Sequence, residues 1–363
     1  MTEKKVLTAE ELDRRGRLRA LKPRVFEKIE MMGKMLEEGK STAIMRVEHD
    51  YLCNLSCRHC CITELRQPGV KSVMMEPDNV RDLADQADAY GLSRWVITGG
   101  EPTAFNNLDE IVKAIGSDRF YISSDTNGFL FDDKEAEHFK TIGIDKVQVS
   151  IDGASAEEHD AFRRRKGSHE RAMRAIDEAK KADLAVIVQT VATSQRLKSE
   201  EFEDFLKLIN SRGVGVYVSF GKPVGAWKGN FEGLITTADL DYMRELEKKY
   251  NVFTHLTPSY GNEGSCIAGS GMVSVTAGGE LTPCPYMHIS MGNVMKEPLA
   301  TILERTMRVK HFGGRVNVCM MAEAGEDGGP GKFLEEYIVG RVYPEKKLPV
   351  SYEKVFTKED YID

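Results

Sequence analysis

The chain has 363 residues, 41% of them hydrophobic and 29% charged, an ordinary globular composition with room for one large α/β domain and a smaller one. A formal net charge of −7 excludes a broad nucleic-acid surface, which needs a basic excess. No apolar run is long enough to span a bilayer and the start, Met1-Thr-Glu-Lys-Lys5, lacks the apolar core of a signal peptide, so the expected location is the cytoplasm, where thiols stay reduced.

In chain order, residues 8–39 come first, charged and helix-prone, with Leu18, Leu21, Val25, Ile29, Met32 and Met35 at three-to-four spacing. This predicts an amphipathic helical arm (1–41), broken near Pro23. From residue 42 strands and helices alternate. Strands are expected at Ala43–Val47, Arg94–Ile97, Phe120–Ser123, Lys146–Ile151, Leu184–Val191 and Val214–Phe220. Helices are expected near 78–90, 107–116, 132–142, 155–182 (interrupted around Gly167) and 199–212. Six βα-type repeats over 42–220 predict a parallel sheet with right-handed crossovers, and such sheets bind ligands at the C-terminal ends of their strands. A loop and a helix near 237–250 fill 221–256. Residues 257–325 are rich in Gly, Pro and Cys and read as a small metal-stapled module, and the tail 326–363 holds Gly328-Gly-Pro-Gly331, then a short helix and a Pro-containing terminus with no assignable pattern. Arg163-Arg-Arg-Lys166 is the one basic run, read as a mostly solvated turn.

The chemistry concentrates in Tyr51-Leu-Cys-Asn-Leu-Ser-Cys-Arg-His-Cys60, where Cys53, Cys57 and Cys60 stand as C-x3-C-x2-C just after the first expected strand. Three thiolates on one loop can hold three irons of a [4Fe–4S] cube and leave the fourth open to a ligand. A zinc site is the alternative. It needs four closing ligands, but the next cysteine after Cys61 is Cys266, and His59 sits too close to its neighbours for an easy tetrahedron. Seven cysteines, an odd count, argue against a disulfide framework. Cys61 is read as a plain buried thiol rather than a hydrogen-atom donor.

The C-x3-C-x2-C spacing resembles the signature of the radical S-adenosylmethionine (radical SAM) enzymes, and Gly99-Gly-Glu101 resembles their "GGE" segment. The resemblance implies a partial (β/α)6 barrel. It also implies an open iron that binds the methionine moiety of SAM, and one-electron cleavage to a 5′-deoxyadenosyl radical. By resemblance Gly99, Gly100 and Glu101 bind the methionyl amino group. The same resemblance implies that Ser150, in Ser150-Ile-Asp-Gly153, and Arg163 contact SAM, with Arg163 pairing with the methionyl carboxylate in bidentate fashion. Ser124 and Asn127, after the third strand, are further candidates. His59 stands where the family most often has an aromatic residue and offers a flat ring to adenine.

Downstream, Cys266 and Cys284 form C-x12-G-x4-C around a hairpin predicted at Met272–Thr276 and Glu280–Thr282, turning at Gly278-Gly279. This is similar to the opening of a SPASM or half-length twitch domain, with Cys319 as a third thiol. The later C-x2-C-x5-C-x3-C run of a full SPASM domain does not occur. The resemblance therefore implies one auxiliary [4Fe–4S] cluster on Cys266, Cys284 and Cys319, with zinc as the alternative occupant. Its fourth ligand is left open among His288, His311, nearby carboxylates and the substrate. The expected function is hydrogen abstraction from an organic substrate, a small metabolite first, with the auxiliary cluster taking away an electron, supplying one or anchoring the substrate; peptide modification is second and a non-catalytic electron carrier third. An external one-electron donor such as flavodoxin or ferredoxin is implied.

Overall fold

The computed structural model describes residues 9–66, 75–258 and 264–362. The arm is two helices, α1 (Ala9–Leu21) and α2 (Pro23–Glu37), divided where Pro23 starts the second. Six parallel strands follow: β1 (Ile44–Asp50), β2 (Arg94–Gly99), β3 (Tyr121–Thr126), β4 (Lys146–Ser150), β5 (Ala185–Ala192) and β6 (Gly215–Phe220). They lie side by side in chain order, and β7 (Val252–Phe253) adds to the β6 edge. The helices between them are α3 (Pro77–Tyr90), α4 (Leu108–Ile115), α5 (Asp133–Ile142), α6 (Ala156–Arg163), α7 (Ser168–Lys181), the short α8 (Ser194–Leu197) and α9 (Glu200–Asn210). The sheet stays open, as a partial (β/α)6 barrel.

Local chemistry sets the helix limits. Asp132 and Ser199 cap α5 and α9 by accepting from Glu135 N and Phe202 N. Gly167, at φ +79°, makes the expected break between α6 and α7, while Asp160 accepts from Gly167 N and His169 N. Beyond α9, α10 (Thr237–Lys249) starts in a capping box of Thr236 and Asp239. On the sheet, Met45, Val47, Trp95, Ile97, Ile122, Val147, Val149, Val188, Val216 and Val218 are buried in the hydrophobic core. The alternate positions carry Arg46, Glu48, Thr98, Asp125, Gln148, Gln189 and Ser219. Strand alternation thus gives one dry face under the helices and one polar face inside the barrel.

The arm closes the N-terminal pole of the strands. Lys22 pairs with Asp145 at 2.5 Å, and Lys28 reaches Asp88 at 2.5 Å and the carbonyls of Leu92 and Arg119. The cysteine-rich segment behaves differently. Its hairpin, β8 (Met272–Val275) and β9 (Glu280–Thr282), does not stand apart. β8 pairs in parallel with β1, from Ile44 opposite Met272 to Val47 opposite Val275, so one sheet runs from the core into the module. The short helix expected in the tail is the helical segment Leu334–Val342, and the terminus, unassigned from sequence, contributes strand residues Val350–Ser351 that pair with Ile289–Ser290.

Candidate active site

The cysteine loop leaves the C-terminal end of β1. Gly99 and Gly100 close β2 against it: Gly100 N donates to Asp50 O at 2.8 Å and Glu101 N to Leu52 O at 2.7 Å. A Cβ on Gly99 would stand 2.2 Å from Asp50 O, and one on Gly100 would stand 1.9 Å from Leu52 O. The two glycines therefore admit the backbone that carries the cysteines, in addition to any ligand. On the far side, Gly225 is equally tight, its Cβ position 2.3 Å from Cys60 O, and Ala226 N donates to that carbonyl.

Cys53, Cys57 and Cys60 are free, half-buried thiols on this loop. Burial pushes the Cys53 and Cys57 thiols up, opposed by the positive charges of Arg66 and Arg163 respectively. Arg163 places Nη1 3.7 Å from Cys57 Sγ. Its Nε and Nη2 grip Asp152 Oδ2 at 2.7 and 2.5 Å. Burial alone would raise the Asp152 carboxyl, but the Arg163 guanidinium overrides it and holds it below the usual carboxylate range. Asp152 Oδ1 also accepts from Val191 N at 2.9 Å, fixing the pair to β5. The expected bidentate partner of Arg163 was a ligand carboxylate; the structure supplies Asp152 in that position. The His59 ring stacks on Phe162 at 4.5 Å and lies 6.0 Å from Trp227.

Glu101 is almost fully buried. Oε1 accepts from Thr126 Oγ1 at 2.7 Å, Thr103 Oγ1 at 2.8 Å and Thr103 N at 3.3 Å, while among the described residues Oε2 accepts only from Asn127 N, at 2.7 Å. Burial pushes this carboxyl up against the pull of those donors. A carboxylate offers about four acceptor positions, so Oε2 keeps one in reserve. Asn127 ties β3 to the cysteine loop by donating Nδ2 to Asn54 Oδ1 at 2.8 Å. Ser150 ends β4 at the same pole, two residues before Asp152. Ser124 is placed apart from them. It lies opposite Ile97 and Val147 on the helix-facing side, and its buried hydroxyl meets no partner among the described residues.

The second group of cysteines gathers beside β8 and β9, near the start of β1. Cys266 N donates to Val316 O at 2.6 Å, and Gly269 N to Pro283 O at 2.9 Å, drawing the segments of Cys266, Cys284 and Cys319 together. Burial raises the Cys266 thiol, and the charges of Cys319 and Cys284 raise it further. Among the described residues no three His, Cys, Asp or Glu side chains converge on one point as a single ion requires. A cube takes each thiolate at a different iron, so ligands that stand near but apart suit it. His288, four residues after Cys284, has a buried Nε2 that meets no partner among the described residues. His288 is buried and feels Glu64 and Lys228, and His311 packs against Phe333 and Tyr337.

Between the two groups the polar face of the sheet forms a chamber lining that the sequence reading did not name. Arg46 pairs with Asp125 at 2.5 Å. Glu48, 3% exposed, accepts from Tyr51 OH at 3.0 Å and more weakly from Ser274 Oγ at 3.5 Å. Burial pushes its carboxyl up to about 7. Lys222 and Tyr286 close the side nearer the second cysteines, and the half-buried Cys61 thiol feels Cys60, Glu48, Arg46 and Lys222. One signal was available: Arg46 and Glu48 alternate with Met45 and Val47 in a strand otherwise fit for a core.

Comparison with known proteins fits this arrangement. A family model described as the radical SAM superfamily matches residues 47–209, and the SPASM model, described as an iron-sulfur cluster-binding domain, matches 266–321. The AdoMet-dependent heme synthase of Methanosarcina barkeri is 27% identical over 282 residues, 69% of this chain and 79% of that protein. The mycofactocin maturase MftC of Mycobacterium tuberculosis is 28% identical over 268 residues, 69% of this chain and 67% of that protein. Among solved structures, SuiB of Streptococcus suis bound to its precursor peptide SuiA superposes with a TM-score of 0.57 at 15% identity. That match covers 77% of this chain and 68% of that one, and it speaks for the fold.

Proposed function

Because the chain belongs to the radical SAM superfamily and carries a SPASM-type iron–sulfur domain, we propose that it oxidises a small polar molecule held in the chamber between its two cysteine groups. The observation that carries the reading is the set of three free thiols on one loop at the end of β1, locked to Gly99 and Gly100 and facing a polar barrel interior. When bound, the open-iron cluster and SAM supply a 5′-deoxyadenosyl radical for hydrogen abstraction.

The residues take these parts. Cys53, Cys57 and Cys60 hold the SAM-binding cluster, and Cys266, Cys284 and Cys319 hold the auxiliary one. Glu101 Oε2 accepts the methionyl ammonium in its remaining position. Arg163, with Nε and Nη2 committed to Asp152, has Nη1 for one charge-assisted hydrogen bond to the methionyl carboxylate. Asn127 and Ser150 complete that rim, and Ser124 is given no contact. Glu48, whose carboxyl sits at about 7, accepts the proton released when the substrate is oxidised. The closed lining, with Glu48, Ser219, Lys222 and Ser274 each under 10% exposed, favours a compact substrate. Peptide modification is the second reading, supported by relatives named as maturases. A cytoplasmic setting and an external donor such as flavodoxin or ferredoxin belong to the same proposal.

The test is anaerobic: reconstituted protein, SAM and a strong reductant should yield 5′-deoxyadenosine. The triple variant Cys53→Ala, Cys57→Ala, Cys60→Ala should yield none, and undiminished product from it overturns the assignment. Adding cell extract split by size then separates the two substrate readings. Stimulation by the small-molecule fraction supports the first, and stimulation only by the peptide fraction supports the second.

A further inference from the structure

Lys222 stands just beyond β6, at the seam between the chamber and the auxiliary cysteines, and only 7% of it is exposed. Its Nζ donates to Ser219 Oγ at 3.0 Å and to the Phe220 carbonyl at 2.6 Å, and it sits 4.2 Å from the centre of the Tyr286 ring. Tyr286 is itself held, with its hydroxyl 3.1 Å from Ser219 Oγ, and it follows Cys284 by two residues. An ammonium has three N–H donors. Two oxygens and one ring face occupy all of them, and every one of these acceptors is neutral.

The hydrogen-bonding needs of Lys222 are therefore met while its charge is not. Among the described residues no carboxylate stands at ion-pair distance from Nζ; Asp125 is committed to Arg46, and Glu48 to Tyr51. A buried charge is costly without an opposite charge nearby. The counter-charge must come from something the chain binds. A substrate carboxylate fits poorly, because no N–H remains to receive it. The auxiliary thiolates fit well: the Tyr286 ring that seats Nζ follows Cys284 by two residues, so the ammonium stands beside that ligand's own segment.

We propose that Lys222 is the counter-ion of the auxiliary iron–sulfur cluster, a positioning residue that makes this cluster easier to reduce and so a better acceptor of the electron left on the substrate. Reduction adds one negative charge beside a fixed ammonium inside a dry wall. The reduced state gains more from that attraction than the oxidised state does. Tyr286 and Ser219 keep the ammonium pointed, so the effect requires no movement when the electron arrives. The proposal rests on the second cluster assigned above.

The experiment is an anaerobic redox titration of the reconstituted holoenzyme followed by electron paramagnetic resonance, with iron content measured alongside. Lys222→Met should shift the reduction equilibrium of the auxiliary cluster at least tenfold toward the oxidised form, which is 59 mV for one electron. The midpoint of the SAM-binding cluster should not move. Lys222→Arg, which keeps the charge, should retain the wild-type value. A wild-type auxiliary midpoint in Lys222→Met, or an equal shift of both clusters, overturns the proposal. Loss of auxiliary iron in Lys222→Met but not in Lys222→Arg supports it, since charge is then what holds the cluster. Loss in both variants overturns it in favour of a packing role. About four irons in the wild type, by cube stoichiometry, would instead remove the second cluster itself and this proposal with it.

Discussion

Glu48→Gln isolates what a buried carboxyl does to this fold. In the native protein burial raises the group from 4.5 to about 7, and Tyr51, Arg46 and Ser274 pull the other way without winning. A carboxyl whose native pKa lies above its unfolded value stabilises the fold while protonated. That contribution is complete below pH 4.5 and is lost as pH rises through 7. At 1.36 kcal/mol per pKa unit the loss is about 3 kcal/mol. Glutamine keeps an oxygen for Tyr51 OH and an amide for Ser274, but it carries no charge to bury. Relative to wild type, the variant should therefore gain about 3 kcal/mol between pH 5 and pH 8. For a chain of this length that corresponds to about 4 °C in melting temperature. The assay is thermal unfolding of reconstituted protein under argon at a series of pH values, read as the variant minus wild-type difference. A difference that stays flat across the series refutes the burial argument, and with it Glu48 as a proton acceptor poised near neutrality.

Iron analysis should give about eight irons per chain in the wild type and about four when Cys53, Cys57 and Cys60 are replaced by Ala, by the stoichiometry of two cubes; zinc in the triple variant refutes the auxiliary cluster. Glu101→Gln and Arg163→Met should each weaken SAM binding by about 1.5–3 kcal/mol, the worth of one charge-assisted hydrogen bond, without loss of iron; calorimetric titration showing wild-type affinity shows the contacts to be misassigned. Asp152→Asn strands the Arg163 charge and should cost about 3–5 kcal/mol of stability, as for a broken buried ion pair; an unchanged denaturant midpoint contradicts that. Gly100→Ala should lower iron incorporation while the protein still folds, because the new methyl meets the Leu52 carbonyl on the cluster loop; full iron content would show that this approach is not needed.

The sequence carried the repeating βα order well, because strands and helices each bury a face with its own period, and the strand boundaries fell within about three residues of those expected, inside the usual uncertainty of such edges. The cysteine loop and the Gly-Gly turn were legible for a related reason: chemistry that needs three thiols and two missing side chains leaves a dense local pattern. Partnerships across the barrel were not legible. Arg163 looked free to take a ligand carboxylate because nothing local marks Asp152 as its counter-ion, 11 residues away on another element. Ser124 and Asp125 are neighbours with opposite fates, and only the strand register says which of them faces the chamber. Lys222 read as part of a loop, since the Tyr286 ring that seats it is 64 residues further on.

The hydrogen-bonded seam between β1 and β8 makes the auxiliary segment a structural edge guard. Strand β1 carries the cysteine loop at its end, and without β8 its outer side, Ile44 to Val47, would be an unpaired ribbon flanked by Met45 and Val47. Such a border invites pairing with another chain. A fragment cut at residue 256 should therefore self-associate rather than behave as a tidy catalytic half, and gain or loss of the segment cannot be modular in the way of a domain on a tether. The same seam sets a gauge. Cys53, Cys57 and Cys60 follow the C-terminal end of β1, whereas Cys266 precedes β8 and Cys284 follows β9 at the other end of the paired strands, so the span between these thiols runs along one sheet and is not set by the reach of a linker.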